Sequence, residues 1–309
     1  MTILVAGSTG LAGSAIIREL LRLGKNVIGV SSKDLNLLDR NATFSYFKRL
    51  KPHVVIDAAA KVGGINANNT YPVEFLSNNI QIQTNLMDAS HAVDVERFIF
   101  LGSNCIYPKN CPQPIKEDYI LTGVLEPTNS AYAIAKLAGI ELIKSYRKEY
   151  GHKWISVMPI NLYGPNDNFD SESSHVFPAL IRKFTDAVRN NSKVVTVWGT
   201  GNPRREFLHV DDLARAIVIC LEKYDSDIHI NIGTGTDLTI KELAEKMAMI
   251  SGFKGTIKWD TSREEGTLQK VLDVQKITDL GWSPRISLEE GIKSTIQWYL
   301  TNIKAKIDH

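Results

Sequence analysis

From Met1 to Gly164 the chain alternates short apolar runs with segments of helical spacing, and this alternation restricts the fold more than any other feature. The apolar runs are "MTILVAG", "NVIGVSS", "HVVIDAAA", "RFIFLGS" and "WISVMPINLYG". Between them stand "AGSAIIRELLRLG", "TFSYFKRLK", "EFLSNNIQIQTNLMDASHAV" and "SAYAIAKLAGIELIKSYRKEYG", with apolar residues three and four apart. Strands joined by crossover helices pair in parallel, with a right-handed connection. The pattern predicts an α/β fold of Rossmann type, a doubly wound parallel sheet covered on both faces.

After Gly164 the pattern breaks. "PNDNFDSESSH" is polar and loop-like, "VFPALIRKFTDAVRNN" reads as a helix, and "FLHVDDLARAIVICLEKY" reads as strand, turn and helix. "DIHINIGTG" is a further strand, so the chain is expected to return to the sheet. The tail, through "TIKELAEKMAMISG" and "SLEEGIKSTIQWYLTNI", is mostly helical. Residues 1–165 plus about 205–235 are expected to form a nucleotide-binding domain, and about 166–204 plus 236–309 a smaller, mostly helical substrate lobe.

A net charge of +2 over 309 residues provides no global field for nucleic acid or an anionic membrane. No stretch reaches the roughly 18 apolar residues of a membrane span, and the N-terminus enters a strand without a basic flank. The three cysteines cannot all pair, and their spacing fits no metal site. A cytoplasmic protein without metal, membrane or nucleic-acid partner is expected. Cys220 falls on the apolar stripe of a helix and reads as core; Cys111 reads as a loop residue.

Within "VAGSTGLAGSA", Gly7, Gly10 and Gly13 recur every three residues at the first strand-to-helix turn. A tight turn alone would account for Gly7 but not for the set. Residues Gly7, Ser8, Thr9, Gly10, Leu11, Ala12 and Gly13 are therefore the candidate cradle for a dinucleotide pyrophosphate. The second strand ends in Ser31, Ser32 and Lys33 rather than an acid. Hydroxyls and positive charge there, at Ser32 and Lys33, suit a 2′-phosphate, which favours NADP over NAD. Asp39 is a candidate for the adenine amino group and equally an N-cap for the next helix.

"SAYAIAK" puts Tyr132 and Lys136 four residues apart on one helix face. An ammonium beside a phenol is expected to lower its pKa, making Tyr132 a proton donor near neutral pH. Ser103, at the end of the preceding strand, could offer a hydroxyl to the same carbonyl oxygen. Cys105 follows two residues later; on an extended segment both side chains would point one way.

With these residues in place, the chain resembles the extended short-chain dehydrogenase/reductases, and within them the GDP-L-fucose synthase family. The resemblance runs over nearly the whole chain, through "AAAKVGGI", "GSNCIYP", "LEPTNSAYAIAKLAG", "SVMPINLYGPNDNF", "SHVFPALIRKF", "WGTGNPRREFLHVDDLA" and "LDVQKITDLGW". It implies GDP-4-keto-6-deoxy-D-mannose as substrate and NADPH as reductant, with epimerisation at C3 and C5 followed by reduction at C4. It makes Cys105 the base, His175 the opposite acid, and Lys136 a ligand of the nicotinamide ribose as well. It also implies that Arg205 and Trp198 contact the nucleotide, that Asn161 and Asp273 line the substrate site, and that the protein is a homodimer.

A diphosphate needs local cations, for which Arg182, Lys183, Arg204 and Arg205 are candidates. Lys183 stands where many members have arginine, and Thr9 and Ser32 stand where some place arginines for the 2′-phosphate. Asn104-Cys105 replaces the Asp-Glu that a 4,6-dehydratase resembling this fold would carry. Two alternatives accompany the reading: action on another GDP-4-keto sugar, a deoxyheptose or dideoxyhexose, and a non-catalytic cofactor sensor. Retention of both Tyr132 and Lys136 argues against the sensor.

Overall fold

The computed structural model describes residues 1–262 and 266–304; residues 263–265 and 305–309, in the last segment of the expected smaller lobe, lie outside the described residues. The first half follows the predicted alternation. Strands β1 (Thr2–Ala6), β2 (Asn26–Val30), β3 (Val54–Asp57), β4 (Arg97–Leu101) and β5 (Ile155–Pro159) are separated by helices α1 (Leu11–Arg22), α2 (Arg40–Leu50), α3 (Ile65–Thr70), α4 (Pro72–His91) and α5 (Ser130–Tyr150). The second half contains β6 (Asn161–Tyr163), α6 (Val176–Arg189), β7 (Val194–Trp198), β8 (Arg204–Arg205), β9 (Phe207–His209), α7 (Val210–Lys223) and β10 (Ile230–Ile232). It closes with β11 (Leu238–Thr239), α8 (Ile240–Ser251), β12 (Thr256–Asp260), β13 (Gln269–Lys270), α9 (Gln275–Asp279) and α10 (Leu288–Tyr299).

Six strands form an all-parallel sheet in the order β10-β5-β4-β3-β1-β2. The chain moves from β1 to β2 on one side and then crosses back to β3 on the other. That reversal opens a crevice beyond the carboxyl ends of β1 and β3, where ligands bind in sheets of this kind. Ile3, Leu4, Val5, Val55, Ile56, Phe98, Ile99 and Phe100 are fully buried beneath it. Each such side chain contributes on the order of 1.5–3 kcal/mol, so the floor of the crevice is rigid.

The structure departs from the sequence reading in two places. "WISVMPINLYG" is two strands: β5 lies in the main sheet, while β6 pairs in parallel with β9 outside it. Pro159 has no N–H to continue the ladder, and the chain changes partner there. The second half also contains more than helices, since β7 pairs in parallel with β12, and β11, β8 and β13 form a three-stranded sheet. These strands cover a second core in which Phe177, Phe184, Leu243, Met247, Ile292 and Tyr299 meet. Helices α8 and α10 each begin with a reciprocal cap, Thr239 with Glu242 and Ser287 with Glu290. Among the described residues, no helix is long and apolar enough to cross a membrane.

Candidate active site

At the end of β1 the backbone turns through Gly7 at φ +75°. The N–H groups of Gly7 and Ser8 donate to Val30 O at 2.9 and 3.1 Å, fastening the turn to β2. Gly10 starts α1 with no side-chain cap, so the first-turn N–H groups keep their capacity for an anion. Gly13 lies so close beneath the turn that a Cβ there would stand 2.1 Å from Gly7 O. Gly13→Ala is therefore expected to push α1 off the turn. Protein fluorescence titrated with NADPH should show affinity lost about tenfold or more, together with a lower Tm, by the usual cost of overpacking.

Asp34 is withdrawn from any ribose, because Ser31 N–H and Oγ both donate to its Oδ2, at 2.8 and 2.6 Å. The same two donors hold its carboxyl below the usual range. Ser32 and Lys33 stay exposed beside it, which fits a 2′-phosphate better than a bare hydroxyl. Asp39 Oδ1 accepts from Ala42 N–H at 2.9 Å and caps α2, leaving Oδ2 for an adenine.

Beyond β4, Ser103 caps a 3₁₀ turn over Asn104–Ile106, and its Oγ accepts from Cys105 N–H at 3.4 Å. The segment is thus a turn rather than the expected extended strand, because the Ser103 cap folds it back. The serine hydroxyl nevertheless meets the cysteine thiol. Cys105 is 4% exposed; burial pushes the thiol up, opposed by the hydroxyl and then by the charges of Lys270 and Lys136.

Tyr132, in the first turn of α5, stands edge-on to Phe75, with centroids 6.3 Å apart. Lys136, one turn later, is 3% exposed and donates from Nζ to Leu101 O at 2.8 Å. Its ammonium is 5.8 Å from the Tyr132 ring centroid. The expected lowering of the phenol pKa is not found. Burial raises Tyr132 well above an ordinary phenol, and the charges of Cys105 and Asp57 add to this, while the ammonium is committed to a carbonyl. At neutral pH the phenol is a stored proton.

Asp57, at the end of β3, accepts from Ala59 N–H at 3.0 Å, and its buried Oδ2 has no hydrogen-bond partner among the described residues. Burial raises this carboxyl to about 6, against the pull of Lys136 and the Ala59 N–H. Its charge in turn supports the Lys136 ammonium, which burial disfavours. Sequence reasoning missed Asp57; the signal was an acid closing an otherwise apolar strand.

His175 occupies the N-cap position of α6 without making a cap hydrogen bond. Its ring reaches solvent, yet the protein around it desolvates it enough to hold the pKa below the ordinary imidazole value. No hydrogen bond joins it to Cys105 or Tyr132 among the described residues. Just before it, Ser173 O accepts from Gly64 N–H at 2.9 Å and draws the "KVGGI" loop against this segment.

The nucleotide candidates fall into two groups. Lys183 stands over the Trp198 ring at 5.1 Å and donates to Thr196 O at 2.8 Å; burial and Arg182, half-buried next to it on α6, lower its pKa. Trp198 is 54% exposed and offers a broad aromatic surface. In the other group, Arg205 on β8 lies across from Lys270 on β13. Asn161 Nδ2 donates to Glu206 O at 2.8 Å, and Asp273 Oδ1 accepts from Gln275 N–H at 2.9 Å. Arg204, the remaining cation candidate, is held by Asp237, whose Oδ1 accepts from its Nε at 2.9 Å and pairs with its Nη2 at 2.7 Å.

Lys270 was also missed. It is 7% exposed, and its ammonium feels Cys105, Arg205, Cys111 and Glu126. A two-residue strand in "LQKVLDV" has no periodicity to mark an inward lysine. Cys220 is fully buried on α7 with its thiol pushed up to about 12, and Cys111 is half-buried in its loop. Among the described residues, no three His, Cys, Asp or Glu side chains gather to hold a metal.

Comparison with known proteins shows the family. The model of the NAD-dependent epimerase/dehydratase family matches residues 3–233. GDP-L-fucose synthase 1 of Arabidopsis thaliana is 51% identical over 97% of this chain and 94% of its own length. GDP-L-fucose synthase of Escherichia coli K12 is 49% identical over 97% of both chains. Among solved structures, a GDP-6-OMe-4-keto-L-xylo-heptose reductase from C. jejuni superposes with a TM-score of 0.92 at 34% identity, covering 97% of both chains. A GDP-L-fucose synthetase from Naegleria fowleri bound to NADP gives a TM-score of 0.90 at 30% identity, covering 98% of this chain and 95% of its own.

Proposed function

The chain belongs to the NAD-dependent epimerase/dehydratase family, in its GDP-L-fucose synthase branch, and on that premise we propose that it converts GDP-4-keto-6-deoxy-D-mannose to GDP-L-fucose. It is an NADP-dependent sugar-nucleotide epimerase/reductase. The observation that carries the finer reading is the gathering beyond β4 of the buried Cys105, whose N–H donates to Ser103 Oγ at 3.4 Å, and of Lys136, bound to Leu101 O at 2.8 Å and 5.8 Å from the Tyr132 ring centroid.

A 4-keto group acidifies the hydrogens on C3 and C5, because the anion left behind delocalises onto O4. Cys105, as thiolate, removes the proton from one face, and His175 hands one to the other, each regaining its starting form by exchange with solvent before the second carbon reacts. The ammonium of Lys270 offsets the burial of that thiolate. The hydroxyls of Ser103 and Tyr132 stabilise the negative O4. NADPH, when bound, supplies the hydride for C4. Tyr132 gives its proton to O4, and Lys136, released from Leu101 O, steadies the phenolate and binds the nicotinamide ribose.

The uncapped start of α1, with Ser8, Thr9, Leu11 and Ala12, receives the pyrophosphate of the dinucleotide. Ser32 and Lys33 receive its 2′-phosphate and Asp39 its adenine. Arg205 and Arg182 meet the GDP diphosphate, Trp198 with Lys183 provides a face for guanine, and Asn161 and Asp273 line the sugar site. On this reading, residues 1–165 and about 205–235 form the NADP domain, with the GDP-sugar lobe from the remainder. The proposal includes a cytoplasmic homodimer. The likeness to the heptose reductase supports a second reading, reduction of a different GDP-4-keto sugar.

The test uses purified protein and GDP-4-keto-6-deoxymannose in heavy water, with and without NADPH. Deuterium is expected at two carbons without NADPH, followed by NADPH oxidation once it is added. Oxidation without deuterium uptake would leave a plain 4-ketoreductase, and faster turnover of a heptose derivative would select the second reading.

A further inference from the structure

Glu206 separates β8 from β9 and is 0% exposed, with no cation paired to it among the described residues. Burial raises its carboxyl to about 7, and only hydrogen bonds oppose this. Oε1 accepts from the N–H of Thr234, from Gly235 N–H at 2.8 Å and from Thr234 Oγ1 at 3.3 Å. Oε2 accepts from Leu272 N–H at 2.7 Å. The backbone is equally committed: Glu206 O accepts from Asn161 Nδ2 at 2.8 Å, and Glu206 N–H donates to Lys270 O at 3.3 Å. At Gly233 a Cβ would lie 2.2 Å from Oε1, so the turn after β10 comes as near as a bare backbone allows.

Four separate segments therefore converge on one residue: β6, β8, the turn after β10, and β13 with its continuation. Three of them carry a residue read above as a substrate contact. Arg205 is the neighbour of Glu206, Asn161 is held by its carbonyl, and Asp273 follows the Leu272 amide that its carboxyl grips. The main-sheet edge at β10 supplies the fixed end. We infer that Glu206 is a positioning residue for the GDP-sugar pocket, fastening the strands that present Arg205, Asn161 and Asp273 to the rigid sheet. This rests on the reading of those three residues as GDP-sugar contacts.

Glu206→Gln keeps one acceptor for the turn but sets an NH₂ against the Leu272 amide, releasing β13. Glu206→Asp keeps both acceptors and loses reach. Titration calorimetry with GDP and fluorescence titration with NADPH separate the outcomes. GDP affinity is expected to fall about tenfold or more in Glu206→Gln and less in Glu206→Asp, as for loss of a hydrogen bond to a charged group, while NADPH affinity holds. In turnover, KM for the sugar nucleotide rises and kcat stays within about threefold. Should Glu206→Gln fail to fold, Glu206→Asp carries the same comparison. Equal loss of NADPH affinity, GDP affinity and kcat in the folded variant would reduce Glu206 to general structural support. Unchanged GDP affinity would overturn the inference outright. Wild-type protein that binds no GDP would instead remove the functional reading beneath it.

Discussion

Tyr132→Phe is expected to lower NADPH oxidation by about 10²–10⁴, the usual contribution of a positioned proton donor, and to leave deuterium uptake at C3 and C5 largely in place. The phenol is protonated throughout the neutral range because burial and the nearby charges of Cys105 and Asp57 hold its pKa far up. Removing it takes away the proton destined for O4 and one of the two hydroxyls that meet the enolate oxygen; the Ser103 hydroxyl remains, so exchange slows far less than reduction. The Phe75–Tyr132 contact is between rings lying 82° to one another, and phenylalanine at position 132 keeps that ring. Stopped-flow absorbance with NADPH and mass spectrometry of recovered substrate give the two rates separately. Undiminished oxidation would dismiss Tyr132 as the acid.

Cys105→Ala is expected to have the mirror-image effect. Deuterium uptake should fall about 10²–10⁴, and slow reduction of the unepimerised ketone should persist. The wild-type exchange rate should climb as pH rises from neutral into the alkaline range. Burial raises the thiol pKa, so the thiolate is the minor form at neutral pH and gains population with every step upward. The alanine variant should show no such climb. Normal L-fucose stereochemistry in its product would take Cys105 out of the mechanism and return it to packing.

The main sheet was legible because its strands are continuous apolar runs and its helices keep their spacing. The glycine turn and the spacing of Tyr132 and Lys136 were legible at short range in the same way, whereas Ser103 meets the Cys105 amide through a 3₁₀ cap and not along the expected extended segment. What escaped depends on distant parts of the chain. The short strands β8 and β13 have no pattern of their own, and Lys270 turns inward only because β13 lies against β8. Asp57 and Glu206 matter only because the fold buries them. The phenol pKa was misjudged for a related reason: spacing of four residues places Lys136 near the ring but does not decide which oxygen its ammonium will choose.

The position of β10 in the sheet has a consequence for how the protein is made. Strand β5 ends at Pro159, and its outer neighbour β10 begins at Ile230, about seventy residues later. On the ribosome, at about 5–20 residues per second, β5 therefore waits several seconds with one edge unpaired. That edge is the wholly buried run Ile155–Pro159, a ready template for another nascent chain. Slower elongation over this interval lengthens the time for which that edge stands open to another chain.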